Sequence, residues 1–132
     1  MTNNIDDFGN AGCIFAIGTN TAECHPVLFQ RLLKRKRKNP RGLRIVVVDP
    51  RTTATSDAAD LHLAIRPGTD LALLHGLAHL LLRQGGIDVD FIEEQTEGLP
   101  SLAALVQPWA PERVADLCGI DPGSLRDLAR WW

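Results

Sequence analysis

Cysteine is scarce in this sequence, and the few cysteines present lack the spacing of a structural framework. There are three, Cys13, Cys24 and Cys118, and no two of them form a CxxC pair. An odd number without such pairs argues against both a disulfide scaffold and a zinc ribbon. Because free thiols persist in reducing compartments, we predict a cytoplasmic protein.

The sequence also lacks a membrane-spanning run, a signal peptide and a large net charge. No apolar run approaches the length of about 20 residues that a transmembrane helix needs. The N-terminal stretch MTNNIDDFGN carries acids and no apolar core, unlike a secretory signal peptide. With 132 residues, 45% of them hydrophobic, and a formal charge of -2, the composition describes one globular domain without a membrane partner.

A single basic cluster, KRKRK at residues 34–38, invites a nucleic-acid interpretation. No aromatic residues interleave with it, and the overall charge is slightly acidic. Cations in the last turn of a helix also favour the negative end of the helix dipole. We therefore interpret the cluster as a solvated helix end and predict no nucleic-acid partner.

Two histidines and three glutamates could be metal ligands or catalytic groups, but a structural role accounts for them. His75 and His79 stand four residues apart, as metal ligands on one helix face do, but the glutamate of an HExxH motif is absent. Their aliphatic surroundings favour buried neutral histidines. Glu93, Glu94 and Glu97 are interpreted as a solvated helix face. We predict neither a catalytic residue nor a metal ligand in this chain.

The stretch that organises the chain is CIFAIGTNTAECHP, residues 13–26. An apolar run of strand length meets Gly18 and a small polar loop, and Pro26 then opens a helix that extends to residue 38. Where a buried parallel strand ends and a helix begins, unpaired N–H groups point the same way and bind anions, above all phosphates. The alternative is an ordinary strand-to-helix loop with an Asn or Thr cap.

Two further strand-loop units follow. Residues 43–49 (LRIVVVD) are continuous and apolar, as in a parallel strand covered on both faces. At the end of this strand a carboxylate can accept hydrogen bonds from ribose or guanine, and Arg51 can reach a phosphate. Residues 61–65 are predicted as a third strand, and Thr69 or Asp70 as the cap of a buried helix over 71–83.

These units predict an α/β fold, a Rossmann-like three-layer domain with a short parallel sheet and helices on both faces. That part covers residues 1–86, and a small helical lobe covers 87–132. The lead-in, 1–10, is predicted as irregular, 55–60 as a turn or short helix, and the lobe as helices over 90–96, 102–109, 111–118 and 123–132. Because parallel strands end at one edge, the three loops are expected to form one polyanion site, whereas the strand order is left open.

Taken together, GTNTAECHP, VVVDPRTT and LHLAIRPGTDLALLHGL resemble the molybdopterin oxidoreductase family. Enzymes of this family carry molybdenum on two molybdopterin guanine dinucleotides. The resemblance covers nearly the whole chain. The stretch IDDFGNAGCIFAIGTNTAECHPVLF is most similar to the assimilatory nitrate reductases of the cyanobacterial, ferredoxin-dependent type, with formate dehydrogenases and periplasmic nitrate reductases as close relatives.

The resemblance implies that the three loops hold one molybdopterin guanine dinucleotide. It places Gly18 and Asn20 near the phosphates, and Glu23 and Cys24 near the guanosine. Either Asp49 or Asp70 would recognise the guanine, and Arg51 the pyrophosphate. The implied cofactor-binding residues are Ile17, Gly18, Thr19, Asn20, Thr21, Ala22, Glu23, Cys24, Asp49, Pro50, Arg51, Thr52, Thr53, Gly68, Thr69 and Asp70.

The resemblance further implies a parent enzyme that reduces nitrate to nitrite. Such enzymes carry an iron-sulfur centre, a protein ligand to molybdenum and a C-terminal domain, and the chain shows none of these. Neither Cys13 nor Cys24 matches the molybdenum-ligand motif. We therefore expect an excised, inactive domain whose partners are the other domains of the parent and a donor such as ferredoxin. Trp131 and Trp132 would promote self-association of the isolated chain.

Alternatives remain open at this point. The chain is also compatible with the corresponding domain of a formate dehydrogenase, with a free-standing nucleotide-binding module, and with an interaction domain that uses the basic run and the terminal tryptophans as partner surfaces.

Overall fold

The computed structural model describes residues 5–132, with side chains from Asp7 onward. These residues form two compact units: one extends to Ala64 and includes Trp131, and the other comprises residues 65–130 and Trp132. The predicted irregular lead-in lies partly outside the described residues. Its described part, Ile5–Gly9, is a 3-10 helix rather than irregular chain.

The first unit contains the sheet. Its elements are β1 (Cys13–Ile17), α1 (Thr21–Cys24), α2 (Pro26–Lys38), β2 (Arg44–Val48), a 3-10 helix (Ser56–Ala58) and β3 (Leu61–Leu63). The three strands are parallel and lie in the order β1-β2-β3. The predicted α/β class with a short parallel sheet is therefore confirmed.

The central strand β2 is buried because it is paired on both sides. Ile45, Val46, Val47 and Val48 are each at most 3% exposed, as their continuous apolar sequence predicts. On one face, Leu43, Ile45 and Val47 form a cluster against Ile14 and Ala16 of β1, with Ala59 packed beside them. This cluster is part of the hydrophobic core of the first unit.

The third strand is shorter than the predicted span of 61–65. Its last pairing joins Leu63 to Val48, the end of β2. Beyond that point the backbone carbonyl of Asp49 accepts a hydrogen bond from Nε2 of His62 at 2.8 Å. The first carbonyl after β2 is therefore bonded by a side chain of β3, and the pairing of the two strands ends at Leu63.

The loop after β1 differs from the prediction, because it contains the one-turn helix α1. The Asn20 carbonyl accepts hydrogen bonds from the N–H groups of Glu23 and Cys24, at 3.1 and 2.9 Å. Small residues in this stretch allow the tight turn. Sequence reasoning assigned irregular structure here because four residues are too few to show a helical period.

The basic cluster at the end of α2 is only partly a solvated helix end. Lys34, Arg37 and Lys38 are exposed. In contrast, Arg35 donates to the Phe8 carbonyl at 2.9 Å, and Lys36 Nζ donates to the Leu43 carbonyl at 2.6 Å. Two of the five cations therefore hold the end of α2 against neighbouring backbone.

The second unit is helical. It contains α3 (Asp70–Gln84), α4 (Val89–Gln95), α5 (Leu99–Val106), α6 (Pro111–Cys118) and α7 (Pro122–Trp131) up to Arg130. Helix α5 begins three residues earlier than predicted because Pro100 lies in its first turn, where proline is tolerated, rather than ahead of the helix. At the start of α7, the predicted entrance is confirmed: Asp121 accepts a hydrogen bond from the N–H of Ser124 at 2.9 Å.

Helix α3 is the core of this unit, although it is not buried all round as predicted. Leu73 and Leu77 are at most 3% exposed, but Leu71 and Leu74 are 69% and 38% exposed. Gly76 allows close helix packing, since a Cβ at this position would lie 2.7 Å from Val114 Cγ2 of α6. A larger residue would push the two helices apart.

The two histidines of α3 have different surroundings. His79 is 8% exposed, and its Nδ1 bonds the Val106 carbonyl at 2.9 Å, as predicted for a buried histidine. His75 differs, because its buried Nδ1 has no hydrogen-bond partner and its ring packs 5.0 Å from that of Trp109. Within residues 5–132, no group of three or more potential ligands could hold a metal ion.

Helices of the described part of the chain fall short of membrane-spanning length or hydrophobicity.

Asp60, at the start of β3, joins three elements of the first unit. Its carboxylate accepts hydrogen bonds from the Ile45 N–H at 2.8 Å and from Lys36 Nζ at 2.6 Å, and Arg44 lies 3.4 Å away. Burial opposes ionisation, but these hydrogen bonds and the charges of Lys36 and Arg44 outweigh it. The pKa of the Asp60 carboxyl therefore lies below its ordinary value.

Asp60→Asn is expected to lower the free energy of unfolding at pH 7 by about 1–3 kcal/mol, because the charged acceptor is lost. Since the folded pKa is depressed, the contribution of the carboxylate is complete above the unfolded pKa of about 3.9 and disappears as the pH falls through the folded value. Urea denaturation at pH 7 and at pH 3 measures both effects. The difference between variant and wild type should shrink at the lower pH.

Asp57→Asn is the matched control, since Asp57 is an exposed acid in the neighbouring 3-10 helix. Equal unfolding midpoints for wild type and Asp60→Asn at pH 7 would contradict the role of Asp60.

Candidate cofactor-binding site

The first two predicted loops begin side by side. Ile17 and Val48, the last residues of β1 and β2, are paired, and the N–H of Gly18 donates to the Val48 carbonyl at 2.9 Å. The loops of residues 18–24 and 49–56 therefore leave the sheet at one edge. This neighbourhood was predicted from the parallel arrangement of the strands.

Thr55 connects the two loops. Its hydroxyl donates to Asn20 Oδ1 at 2.8 Å and accepts from the Ala22 N–H at 2.9 Å, and the residue is 2% exposed. A buried hydroxyl that uses both its donor and an acceptor site fixes the groups around it. The segment after β2 therefore holds the backbone of the loop after β1.

The backbone at Gly18 is open to a ligand. Its φ of +61° lies in the left-handed region that favours glycine, and a Cβ built there would meet nothing within 4 Å. Gly18 is exposed, whereas the next four residues of the loop are half-buried. A ligand can therefore approach the main chain at the end of β1 more closely than a side chain would permit.

Asp49 and Arg51 form a fixed pair at the end of β2. The Asp49 side chain is 4% exposed, and its Oδ1 accepts from the Arg51 backbone N–H at 2.8 Å. The guanidinium donates to both carboxylate oxygens, at 3.3 and 3.4 Å. Hydrogen bonds from the Arg51 side chain and backbone lower the pKa of the Asp49 carboxyl despite its burial.

Arg51 presents its charge outward. Its side chain is 71% exposed although it is bonded to Asp49. The Asp49 hydrogen bond and charge raise the pKa of the guanidinium, and the Glu23 carboxylate adds to the effect. Glu23 belongs to the first loop, so the two loops contribute opposite charges to one surface.

The remaining predicted residues of these loops differ in what they offer. Cys24, Pro50 and Thr52 are exposed, and Thr19 and Thr21 are half-buried. Thr53 is engaged within its own turn, where its N–H donates to Ser56 Oγ at 2.7 Å and its carbonyl accepts from the same hydroxyl. Thr53 therefore shapes the second loop, and its contact with the cofactor stays a prediction.

The third loop, residues 66–70, belongs to the second unit. Gly68 is exposed with φ +83° and open space at its Cβ, and Asp70 is exposed at the first position of α3. Thr69 occupies the predicted cap position, but its hydroxyl donates to the Arg66 carbonyl at 2.6 Å instead of capping the helix. That Gly68, Thr69 and Asp70 join the first two loops stays a prediction.

A family model described as molybdopterin oxidoreductase matches residues 1–96, which include all three loops. The chain belongs to this family. The prediction from the sequence is confirmed at that level, and the family implies a molybdenum-pterin cofactor.

The proteins that are similar to this chain include enzymes with different names. A nitrate reductase of Synechocystis sp. is 45% identical over 96% of this chain and 18% of its own length. An F420-dependent formate dehydrogenase subunit alpha of Methanococcus maripaludis is 38% identical over 100% of this chain and 19% of its own. The solved structure of acetylene hydratase from Pelobacter acetylenicus matches with a TM-score of 0.78 and 30% identity, over 92% of this chain and 16% of that one.

The chain thus spans under a fifth of the length of these curated relatives. Their names denote different reactions. The segment they share with this chain therefore identifies the molybdopterin family and its fold without identifying a substrate.

Sequence reasoning missed two residues that shape the candidate site, Thr55 and His62. Thr55 was assigned to a turn, and His62 to a strand without a role. A polar residue inside the apolar run LHLAI was a signal for His62. Nothing local marked Thr55, because its partners lie 33 and 35 residues away in the chain.

Thr55→Val is expected to lower the free energy of unfolding by about 1–3 kcal/mol, because the half-buried Ala22 N–H and Asn20 Oδ1 lose their partner. The amide hydrogen of Ala22 should also exchange faster with solvent. Urea denaturation and amide hydrogen exchange measure the two effects.

Thr55→Ser is the matched control, because it keeps the hydroxyl and removes one methyl group, which costs about 0.8 kcal/mol. If Ala22 exchanged at the same rate in both variants, the connection between the loops would not depend on the Thr55 hydroxyl.

Proposed function

We propose that this chain holds one molybdopterin guanine dinucleotide within a larger assimilatory nitrate reductase, which reduces nitrate to nitrite. The observation that carries the proposal is the pair of connected loops at one sheet edge, with open backbone at Gly18 and an outward guanidinium at Arg51. Both loops lie within the region matched by the family model.

The residues present fit a ligand that carries a pyrophosphate. An exposed guanidinium can donate two hydrogen bonds to a phosphate, and Asp49 holds the Arg51 side chain in place beforehand. Gly18 lets the ligand approach backbone N–H groups. When bound, the cofactor supplies the molybdenum and its redox chemistry, and the chain supplies binding and orientation.

Of the two carboxylates that were candidates for guanine recognition, we assign Asp70. Asp49 is 4% exposed, and both of its oxygens already accept hydrogen bonds from Arg51. A guanine could reach it only by displacing Arg51. Asp70 is exposed, so its carboxylate can accept from the two adjacent N–H groups of a guanine edge.

The nitrate assignment rests on the 45% identity to the Synechocystis nitrate reductase. Under this proposal the parent receives electrons from a donor such as ferredoxin through an iron-sulfur centre. We also place the parent in the cytoplasm, which agrees with the three free cysteines of the described residues. The second candidate is a formate dehydrogenase, supported by the 38% identity over the whole chain.

In the complete enzyme, Arg51→Ala is expected to lower the bound cofactor per polypeptide by roughly tenfold under limiting cofactor supply, since a charge-assisted hydrogen bond is worth about 1.5–3 kcal/mol. Molybdenum analysis and the guanine nucleotide released by acid measure the content. Arg51→Lys should retain an intermediate amount because it keeps the charge without the fork.

Arg41→Ala is the control, since Arg41 is an exposed cation of the same unit. Asp70→Ala should reduce the nucleotide content as well. If Asp49→Ala and Asp70→Ala both left the cofactor content unchanged, the assignment of these loops would be wrong.

Assays of the complete enzyme distinguish the two reactions. We expect reduction of nitrate to nitrite with reduced ferredoxin and no oxidation of formate. Formate oxidation without nitrate reduction would overturn the nitrate assignment and support the second candidate, while leaving the cofactor assignment intact.

A further inference from the structure

We propose that Arg66 and the C-terminal end of helix α6 position the third loop, residues 66–70, for cofactor binding. The inference rests on the proposed function, because that function assigns Gly68, Thr69 and Asp70 to the cofactor. It gives a role to α6, a helix of the lobe in which we predicted no site residue.

Arg66 closes the end of α6. Its Nη1 donates to the Asp116 carbonyl at 2.6 Å and to the Leu117 carbonyl at 3.3 Å, and its backbone N–H donates to the Cys118 carbonyl at 2.8 Å. The last carbonyls of a helix lack partners within the helix and carry partial negative charge. A guanidinium donates hydrogen bonds to these carbonyls and its positive charge is attracted to their partial negative charge. The end of α6 therefore binds Arg66 favourably.

From Arg66 the connection continues to Thr69. The Arg66 carbonyl accepts from the Thr69 hydroxyl at 2.6 Å and from the Thr69 N–H at 3.2 Å. On the other side, Cys118 Sγ donates to the Thr69 carbonyl at 3.6 Å. Thr69 is therefore held by Arg66 and by the last residue of α6, and the exposed Asp70 follows directly.

Gly119 provides the space in which Arg66 lies. It ends α6 in the left-handed conformation, with φ +75°, and a Cβ there would lie 3.1 Å from Arg66 Nε and 3.3 Å from Cγ and Cζ. A side chain at this position would therefore displace the guanidinium from the helix end.

Holding this loop in one conformation matters for binding rather than only for folding. Gly68 and Asp70 are exposed and ready to contact a ligand, and a loop that is already ordered loses less conformational freedom when the ligand binds. Arg66 is thus a positioning residue, which acts on the cofactor through Thr69 and Asp70.

The first test uses amide hydrogen exchange on the 132-residue chain. In Arg66→Met, the amide hydrogen of Thr69 should exchange at least roughly fivefold faster, since its acceptor is no longer held. Gly119→Ala should have the same effect. Gly85→Ala is the matched control, because Gly85 ends α3 with φ +69° and has open space at its Cβ. Equal exchange of Thr69 in the two glycine variants would overturn the role of Arg66.

The second test measures cofactor content in the complete enzyme. We expect Arg66→Met and Gly119→Ala to lower the bound guanine nucleotide several-fold, and Arg66→Lys to restore part of it. Val114→Ala is the stability control, because Val114 is fully buried in α6 against Gly76 and has no hydrogen bond to the loop. It should lower the melting temperature and keep the nucleotide.

The outcomes separate the two proposals. If Arg66→Met and Val114→Ala retained the same nucleotide content at matched melting temperature, the positioning role would be wrong. If the wild-type enzyme carried no molybdopterin at all, the proposed function would be wrong, and so would the role of the loop in cofactor binding. The exchange experiment would still show whether Arg66 holds Thr69 in place.

Discussion

The structure of the first unit depends on the pairing of β2 with a parallel strand on each side. This pairing buries Ile45 to Val48 completely and brings the ends of β1, β2 and β3 to one edge of the sheet. Parallel strands leave polar backbone at that edge, which must be satisfied by loops, side chains or ligands. Thr55 and His62 satisfy part of it by bonding the Ala22 N–H and the Asp49 carbonyl. The groups that remain exposed, Gly18 and the Arg51 guanidinium, are those we assign to the cofactor.

Two carboxylates of this unit, Asp49 and Asp60, are held by hydrogen bonds at opposite ends of the sheet. Asp49 and Asp60 are held by cations and backbone N–H groups, which lower the pKa of each carboxyl. Asp60 stabilises the start of the sheet, at the end opposite the loops, through Lys36 and Ile45. Asp49 stabilises the other end and directs Arg51 outward. One carboxylate therefore serves the fold, and the other serves both the fold and the candidate site.

Local sequence patterns predicted the features that depend on local chemistry. The run CIFAI predicted β1 with its correct bounds. The run LRIVVVD predicted the buried strand β2, which is one residue shorter at each end. Proline at residues 26 and 111 marked the starts of α2 and α6. Patterns failed where a distant partner decides the structure. Thr55, Lys36 and Arg66 bond groups 33, 24 and 50 residues away, and no period or composition reveals such pairs. The identity of the proposed ligand comes from family resemblance, because an open glycine backbone and an exposed guanidinium are compatible with many nucleotides.

The connection from β2 to β3 has an unusual composition for a parallel crossover, since residues 49–60 contain one 3-10 turn and no α-helix. The same stretch carries Asp49, Arg51 and Thr55 and ends at Asp60. An inserted or deleted residue would move Thr55 away from Asn20 or Asp60 away from Lys36, depending on its position in the stretch. Surface loops ordinarily change length during evolution with little consequence. Here the number of residues between the bonded positions is fixed by the structure at both ends. We therefore expect insertions to be tolerated in other loops of the domain.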